Sequence, residues 1–153
     1  MVKNGSEEVA YKQALYVPKT VFEFGPKNWS PVRILFNGRT FFFIIHRGSM
    51  GKWSHWVYLL GNQQAADKYT FTVKINDKDA IEGMNFTSKV ISVDCPREKI
   101  LDSKATNFYN DPGLAMTHSD AIARKFMRKM GGPIFDTGFE YTLTIRPCKY
   151  STF

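Results

Sequence analysis

Between Lys68 and Ile75 the chain alternates without a break. Tyr69, Phe71, Val73 and Ile75 are apolar, while Lys68, Thr70, Thr72 and Lys74 are polar. A period of two is what a strand with one buried face requires. Glu140 to Arg146 repeats the pattern, with Tyr141, Leu143 and Ile145 on one side and Pro147 as the stop. Val32 to Phe36 follows Pro31 and runs into Asn37-Gly38, a dipeptide favoured in tight hairpins. The next run, Thr40 to His46, is apolar on both faces and reads as a central, fully buried strand. Thr20 to Phe24 and His55 to Leu60 are further strands. Met84 to Asp94 reads as one long or bulged strand ended by Pro96.

One helix stands among these strands. Ser119 suits an N-cap, with Asp120 in the first turn. Ile122, Ala123, Phe126, Met127 and Met130 fall at helical spacing, and Gly131-Gly132-Pro133 is the stop. Arg124, Lys125, Arg128 and Lys129 occupy the opposite face. Residues 1–18 are expected as an N-terminal leader, either a short helix or an arm packed on the body. Residues 149–153 are a tail. About eight short strands with one late helix predict an all-β fold, an antiparallel β-sandwich, with a β-barrel as the alternative.

Composition narrows this picture only in places. The 153 residues are 43% hydrophobic and 15% aromatic, enough for one domain with a sizeable core. Lys and Arg number 21 against 14 Asp and Glu, a net charge of +7 that no long basic run concentrates. The 13 Phe favour sheet over helix. The opening stretch is polar and shows no signal peptide, and the longest apolar run, Phe41 to Ile45, is too short for a bilayer. A cytoplasmic or nuclear setting is therefore expected, and no membrane partner. The sequons at Asn28 and Asn85 point the other way and carry little weight without a secretion signal.

Candidate chemistry is sparse. The two cysteines, Cys95 and Cys148, form no C-x-x-C pair. His46, His55 and His118 show no metal-ligand spacing, so neither a metal site nor a disulfide framework is expected. No G-x-S-x-G, P-loop or G-x-G-x-x-G occurs. Gly48-Ser49-Met50-Gly51 precedes a strand rather than a helix and lacks phosphate-binding geometry. Asp77 and Asp79 sit in a turn. No catalytic residue and no cofactor is expected, and nothing argues for an enzyme. A nucleic-acid surface is the competing reading. It would use the basic set Arg124, Lys125, Arg128 and Lys129, with Trp53 and Trp56 beside Lys52 and His55 for stacking.

The stretch from Val57 to Asn76 has the order apolar strand, Leu60-Gly61, polar loop with Gln64-Ala65, aromatic-rich strand and Asn turn. In that order it resembles the substrate-binding domain of the seven-in-absentia (Siah) ubiquitin ligases. Phe41 to Ile45 falls where that family has its own apolar strand. Thr117-His118-Ser119-Asp120 is similar to the helix start of TRAF-like domains, and Phe139 to Ile145 corresponds to their terminal strand. The resemblance covers residues 20 to 146 and implies a TRAF-like sandwich over residues 19–148. It also implies capture of a short linear peptide of a partner protein, in a ubiquitin-ligase or signalling adaptor complex, and homodimerisation. The family's groove falls on the strands that carry Val32, Arg33, Ile34, Phe36, Phe41 and Phe43, the expected peptide-binding residues. A one-residue slip would exchange the two faces. Complete Siah-type ligases also carry a RING and zinc fingers, which need many Cys and His. This chain is therefore either one domain cut from a larger protein or a stand-alone relative with the recognition half alone.

Overall fold

The alternation of residues 69–75 becomes a strand whose apolar side chains are all buried, the centre of one of two stacked sheets. The computed structural model describes residues 8–23, 25–76, 84–102, 115–129 and 137–148. Their strands in chain order are β1 (Val9–Tyr16), β2 (Lys27–Asn28), β3 (Val32–Phe36), β4 (Arg39–Arg47), β5 (Lys52–Leu59), β6 (Tyr69–Ile75), β7 (Met84–Lys89), β8 (Ile91–Ser92), β9 (Met116–Ser119), β10 (Arg128–Lys129) and β11 (Thr137–Pro147). Three short helices accompany them, α1 (Gln63–Ala66), α2 (Arg97–Asp102) and α3 (Asp120–Phe126). The first sheet runs β1-β11-β6-β7, with β10 also on β11. The second runs β2-β4-β5-β8, with β3 beside β2 on the same edge of β4 and β9 on β5. All pairings are antiparallel except β5 with β8. The fold is an all-β sandwich, and the described strands close no barrel.

The core lies where the inner faces meet. From the first sheet come Tyr69, Phe71, Val73 and Ile75 of β6 with Phe139, Tyr141, Leu143 and Ile145 of β11. From the second come Ile34 and Phe36 of β3, Phe41, Phe43 and Ile45 of β4, and Trp53, Val57 and Leu59 of β5. Phe43 and Tyr141 meet across the gap with ring centroids 5.1 Å apart. Fully burying a side chain of this size stabilises the fold by about 1.5–3 kcal/mol, so aromatic density here replaces helical cover.

The outer faces differ. That of the first sheet is hydroxyl- and charge-bearing, with Thr72 bonded to Thr87 at 2.8 Å and Arg128 paired with Glu140. That of the second carries Ile44 and Trp56, both buried. The Arg97 guanidinium lies 5.5 Å from the Trp56 ring centroid. This is why Thr40 to His46 is apolar on both sides.

Several expectations need correction. Of the two alternatives for residues 9–16, the helix is not found. They pack on the body as β1, in register with β11 from Val9↔Ile145 to Tyr16↔Gly138. Thr20 to Phe24 is not a strand: Lys19–Phe22 form a 3-10 turn, with Val21 and Glu23 donating to the carbonyls of Pro18 and Thr20. The chain crosses here from the first sheet to the second, and a tight turn bridges the gap where a strand would overshoot. Met84 to Asp94 is two strands, because buried Val90 carries the chain from β7 in one sheet to β8 in the other. The late helix has the expected cap, with Ser119 Oγ accepting from the Ile122 N–H at 3.3 Å, but it stops at Phe126. Met127 is already extended, and Arg128–Lys129 pair with β11. Met130 to Pro133, the turn holding Asp77 and Asp79, and the tail lie outside the described residues.

Candidate functional site

The β3–β4 hairpin sets the geometry of one open edge. Asn37 and Gly38 have φ of 52° and 70°, the left-handed pair of a type I′ turn. Such a turn makes Phe36↔Arg39 a hydrogen-bonded pair, and alternation extends this to Ile34↔Phe41 and Val32↔Phe43. Two neighbouring bonds agree with this phase. The Ile45 carbonyl accepts from Trp29 on the β2–β3 side, and the Thr40 carbonyl accepts from Leu60 on the β5 side. The backbone N–H and C=O groups of Arg33 and Leu35 therefore point away from β4. Among the described residues β3 has no other strand neighbour, so these groups face an open edge.

The same alternation sorts the six expected peptide-binding residues. Ile34, Phe36, Phe41 and Phe43 are buried between the sheets and serve the core, because their pleat turns them inward. Val32 is half-buried on that side, at the rim. Arg33 points outward and is exposed, and so is Leu35, at 67%. Leu35 also begins an apolar row on the outer face. It pairs with Thr40, Thr40 accepts from Leu60, and Leu60 is 59% exposed. Half-buried Phe42 and Tyr58 form the row beside it.

The opposite end of the sheet holds a polar cluster that local sequence spacing did not reveal. The Arg47 guanidinium grips the Asp120 carboxylate in two bonds, Nε to Oδ1 at 2.8 Å and Nη2 to Oδ2 at 2.6 Å. Trp53 Nε1 donates to the same Oδ1 at 2.8 Å. Gly51, at φ 81°, is required here, since a Cβ on it would fall 2.7 Å from Asp120 Oδ2. Donation from Arg47 holds the Asp120 carboxyl below the usual carboxylate range, against the opposing effect of burial, and Asp120 in turn raises Arg47.

Next to this pair, His55 Nε2 and His118 Nε2 lie 2.8 Å apart, with His118 stacked on Trp53 at 5.5 Å. The Ser119 carbonyl lies 3.1 Å from His118 Nδ1 and can only accept, so Nδ1 carries the proton. His118 Nε2 is then the acceptor, and His55 Nε2–H the donor. That leaves His55 Nδ1 bare in the core, where it has no hydrogen-bond partner. Burial pushes His55 well below the usual imidazole range, and His118 adds to it; burial also lowers His118. Chemically the pair is two neutral rings in one fixed tautomeric order. Among the described residues no third metal-ligating side chain joins it.

The basic set does not form one helical face. Arg124 and Lys125 lie on α3, whereas Arg128 and Lys129 lie on β10. Arg124 sits 4.3 Å from the Phe22 ring centroid, and Arg128 pairs with Glu140 at 2.8 Å. Trp53 and Trp56 are wholly buried and offer no stacking platform, because each packs against one face of β5's own sheet. Cys95 and Cys148 are both half-buried.

The sequence reading missed Arg47, His55, His118 and Asp120 as a group. The β4–β5 pairing, which sets Arg47 opposite Trp53, and the β5–β9 pairing, which sets Trp53 opposite His118, bring them together. Leu35 carried a usable signal: an apolar residue on the polar side of an alternating run. No family model matches the chain, and no curated protein matches it either.

Proposed function

We propose that the protein is a non-catalytic recognition domain that binds a short extended peptide of a partner protein as an added strand on β3. The observation that carries this is the pair of outward-facing peptide groups at Arg33 and Leu35, beside an exposed apolar side chain. Strand addition draws affinity from main-chain hydrogen bonds and selectivity from alternate side chains. On the first sheet, β7 presents Asn85, Thr87 and Lys89 outward, and β1 carries Lys12 among Ala10, Ala14 and exposed Tyr16. Lys and polar side chains are the usual protection against unwanted pairing, and β3 shows Leu35 instead. The resemblance to Siah-type substrate-binding domains supports the same reading. On that resemblance we propose a ubiquitin-ligase or adaptor complex that directs proteins to degradation, in cytoplasm or nucleus, with the chain acting as a homodimer.

The test is an unbiased pull-down, peptide mapping of the captured proteins, and then Leu35→Pro. Proline removes an N–H that the β3–β4 ladder does not use, a position where edge strands tolerate it. The variant is expected to keep its circular dichroism and lose at least about tenfold in affinity for the mapped peptides. Unchanged affinity in a folded Leu35→Pro protein would overturn the proposal.

A further inference from the structure

We infer that the peptide accepted by β3 runs antiparallel to it and carries an apolar residue followed, two positions later, by an acidic one. This rests on the strand-addition reading and adds the chemistry of the ligand. The free backbone groups of β3 belong to Arg33 and Leu35, so two peptide residues exchange hydrogen bonds with these positions and stand directly opposite them. Directly opposed side chains share one face of a sheet, here the outer face, and interact across the strands.

Opposite Leu35 the incoming side chain meets an apolar row that continues through Leu60, with Phe42 and Tyr58 beside it. Opposite Arg33 it meets a guanidinium that enters none of the ion pairs among the described residues. A carboxylate there gains two parallel hydrogen bonds, and a lysine meets a like charge. The chain's +7 net charge adds to the preference for an acidic partner. Antiparallel entry matches the bond pattern of β3 with β4 and orders the motif as apolar, any, acidic. The residue between them points to the inner side, towards the rim at Val32 and buried Ile34.

The test pans a displayed library of random ten-residue peptides on the wild-type domain, Arg33→Glu and Leu35→Pro. Wild type is expected to enrich acidic residues two positions after an apolar one. Arg33→Glu should replace them with Lys or Arg at that position, with a preference of about three- to fivefold when single peptides are titrated. Enrichment that Leu35→Pro abolishes but Arg33→Glu leaves unchanged overturns this inference and leaves strand addition standing. Enrichment that survives Leu35→Pro, or no enrichment on the wild type, overturns both.

Discussion

The two ends of the second sheet handle unpaired chemistry in opposite ways. At the Arg47 end, the inward-facing polar side chains answer one another: Arg47 and Trp53 by Asp120, His55 by His118, and His118 by the Ser119 carbonyl. At the Phe41 end, apolar groups are turned outward and unanswered, with Leu35 and Leu60 open on the face. α2 meets the outer face at Trp56 and His46, near the first end. A polar cluster satisfied internally has little left to offer a partner, while an open edge with exposed leucines has both its hydrogen-bonding and its hydrophobic capacity to spare.

The comparison can be broken first at its strongest point. Asp120→Ala removes the carboxylate that grips Arg47, whose side chain is 4% exposed. Removing one partner of such a pair costs about 3 kcal/mol, which urea unfolding should show as a large fall in midpoint at constant slope. A loss below about 0.5 kcal/mol, the range of ordinary surface substitutions, would mean that the pair is not structural.

Acid should have the next largest effect. Both imidazoles of the His55–His118 pair bind protons less tightly when folded than when unfolded. The unfolded chain therefore takes up more protons below about pH 6.5, and stability falls as pH drops from there towards the folded values. Asp120, held low, keeps its charge through this window, since its contribution is lost only below the usual carboxylate range. Each imidazole gives a slope of up to about 1.4 kcal/mol per pH unit, read from urea midpoints between pH 7.5 and 5.5. A His46→Asn background removes the third histidine, itself lowered by burial and by Arg97. A flat profile in that background would refute the buried neutral pair.

The smallest effect is expected at the open end. Leu35→Ser removes an exposed side chain that the core does not use, so stability should change by no more than about 0.5 kcal/mol. Phe43→Ala, opposite Val32 on β3 and Val57 on β5, should cost about 3–5 kcal/mol by opening the core. If Leu35→Ser destabilised the domain as strongly as Phe43→Ala, the outer row would belong to the fold and the contrast between the ends would vanish.

Periodicity made much of the sheet legible. β6 and β11 follow their alternation residue for residue, and Asn37-Gly38 marks the one hairpin whose turn chemistry is local. What local pattern could not convey was partner choice. Ser119 capped a helix as expected, yet Arg128 and Lys129 left it, because pairing with Thr137 and Gly138 outweighed helical spacing. Thr20 to Phe24 alternates as a strand does and is spent on a crossing between layers. The candidate edge was half legible. Position put the groove on β3, but which residues face out depends on the phase of the β3–β4 ladder, and that assigned four of the six to the core. His55 and His118, 63 positions apart, meet only through a pairing that no local signal encodes.

The pairing of β1 with β11 has a consequence for biogenesis. Gln13 and Tyr141, bonded in the finished protein, are 128 positions apart. On a ribosome adding about 5–20 residues per second, the first strand waits on the order of ten seconds for its partner to be synthesised. During that interval Tyr11 and Leu15 are exposed to chaperones and to neighbouring nascent chains. The yield of this protein in a cell should therefore depend on what shields Val9–Tyr16 during translation.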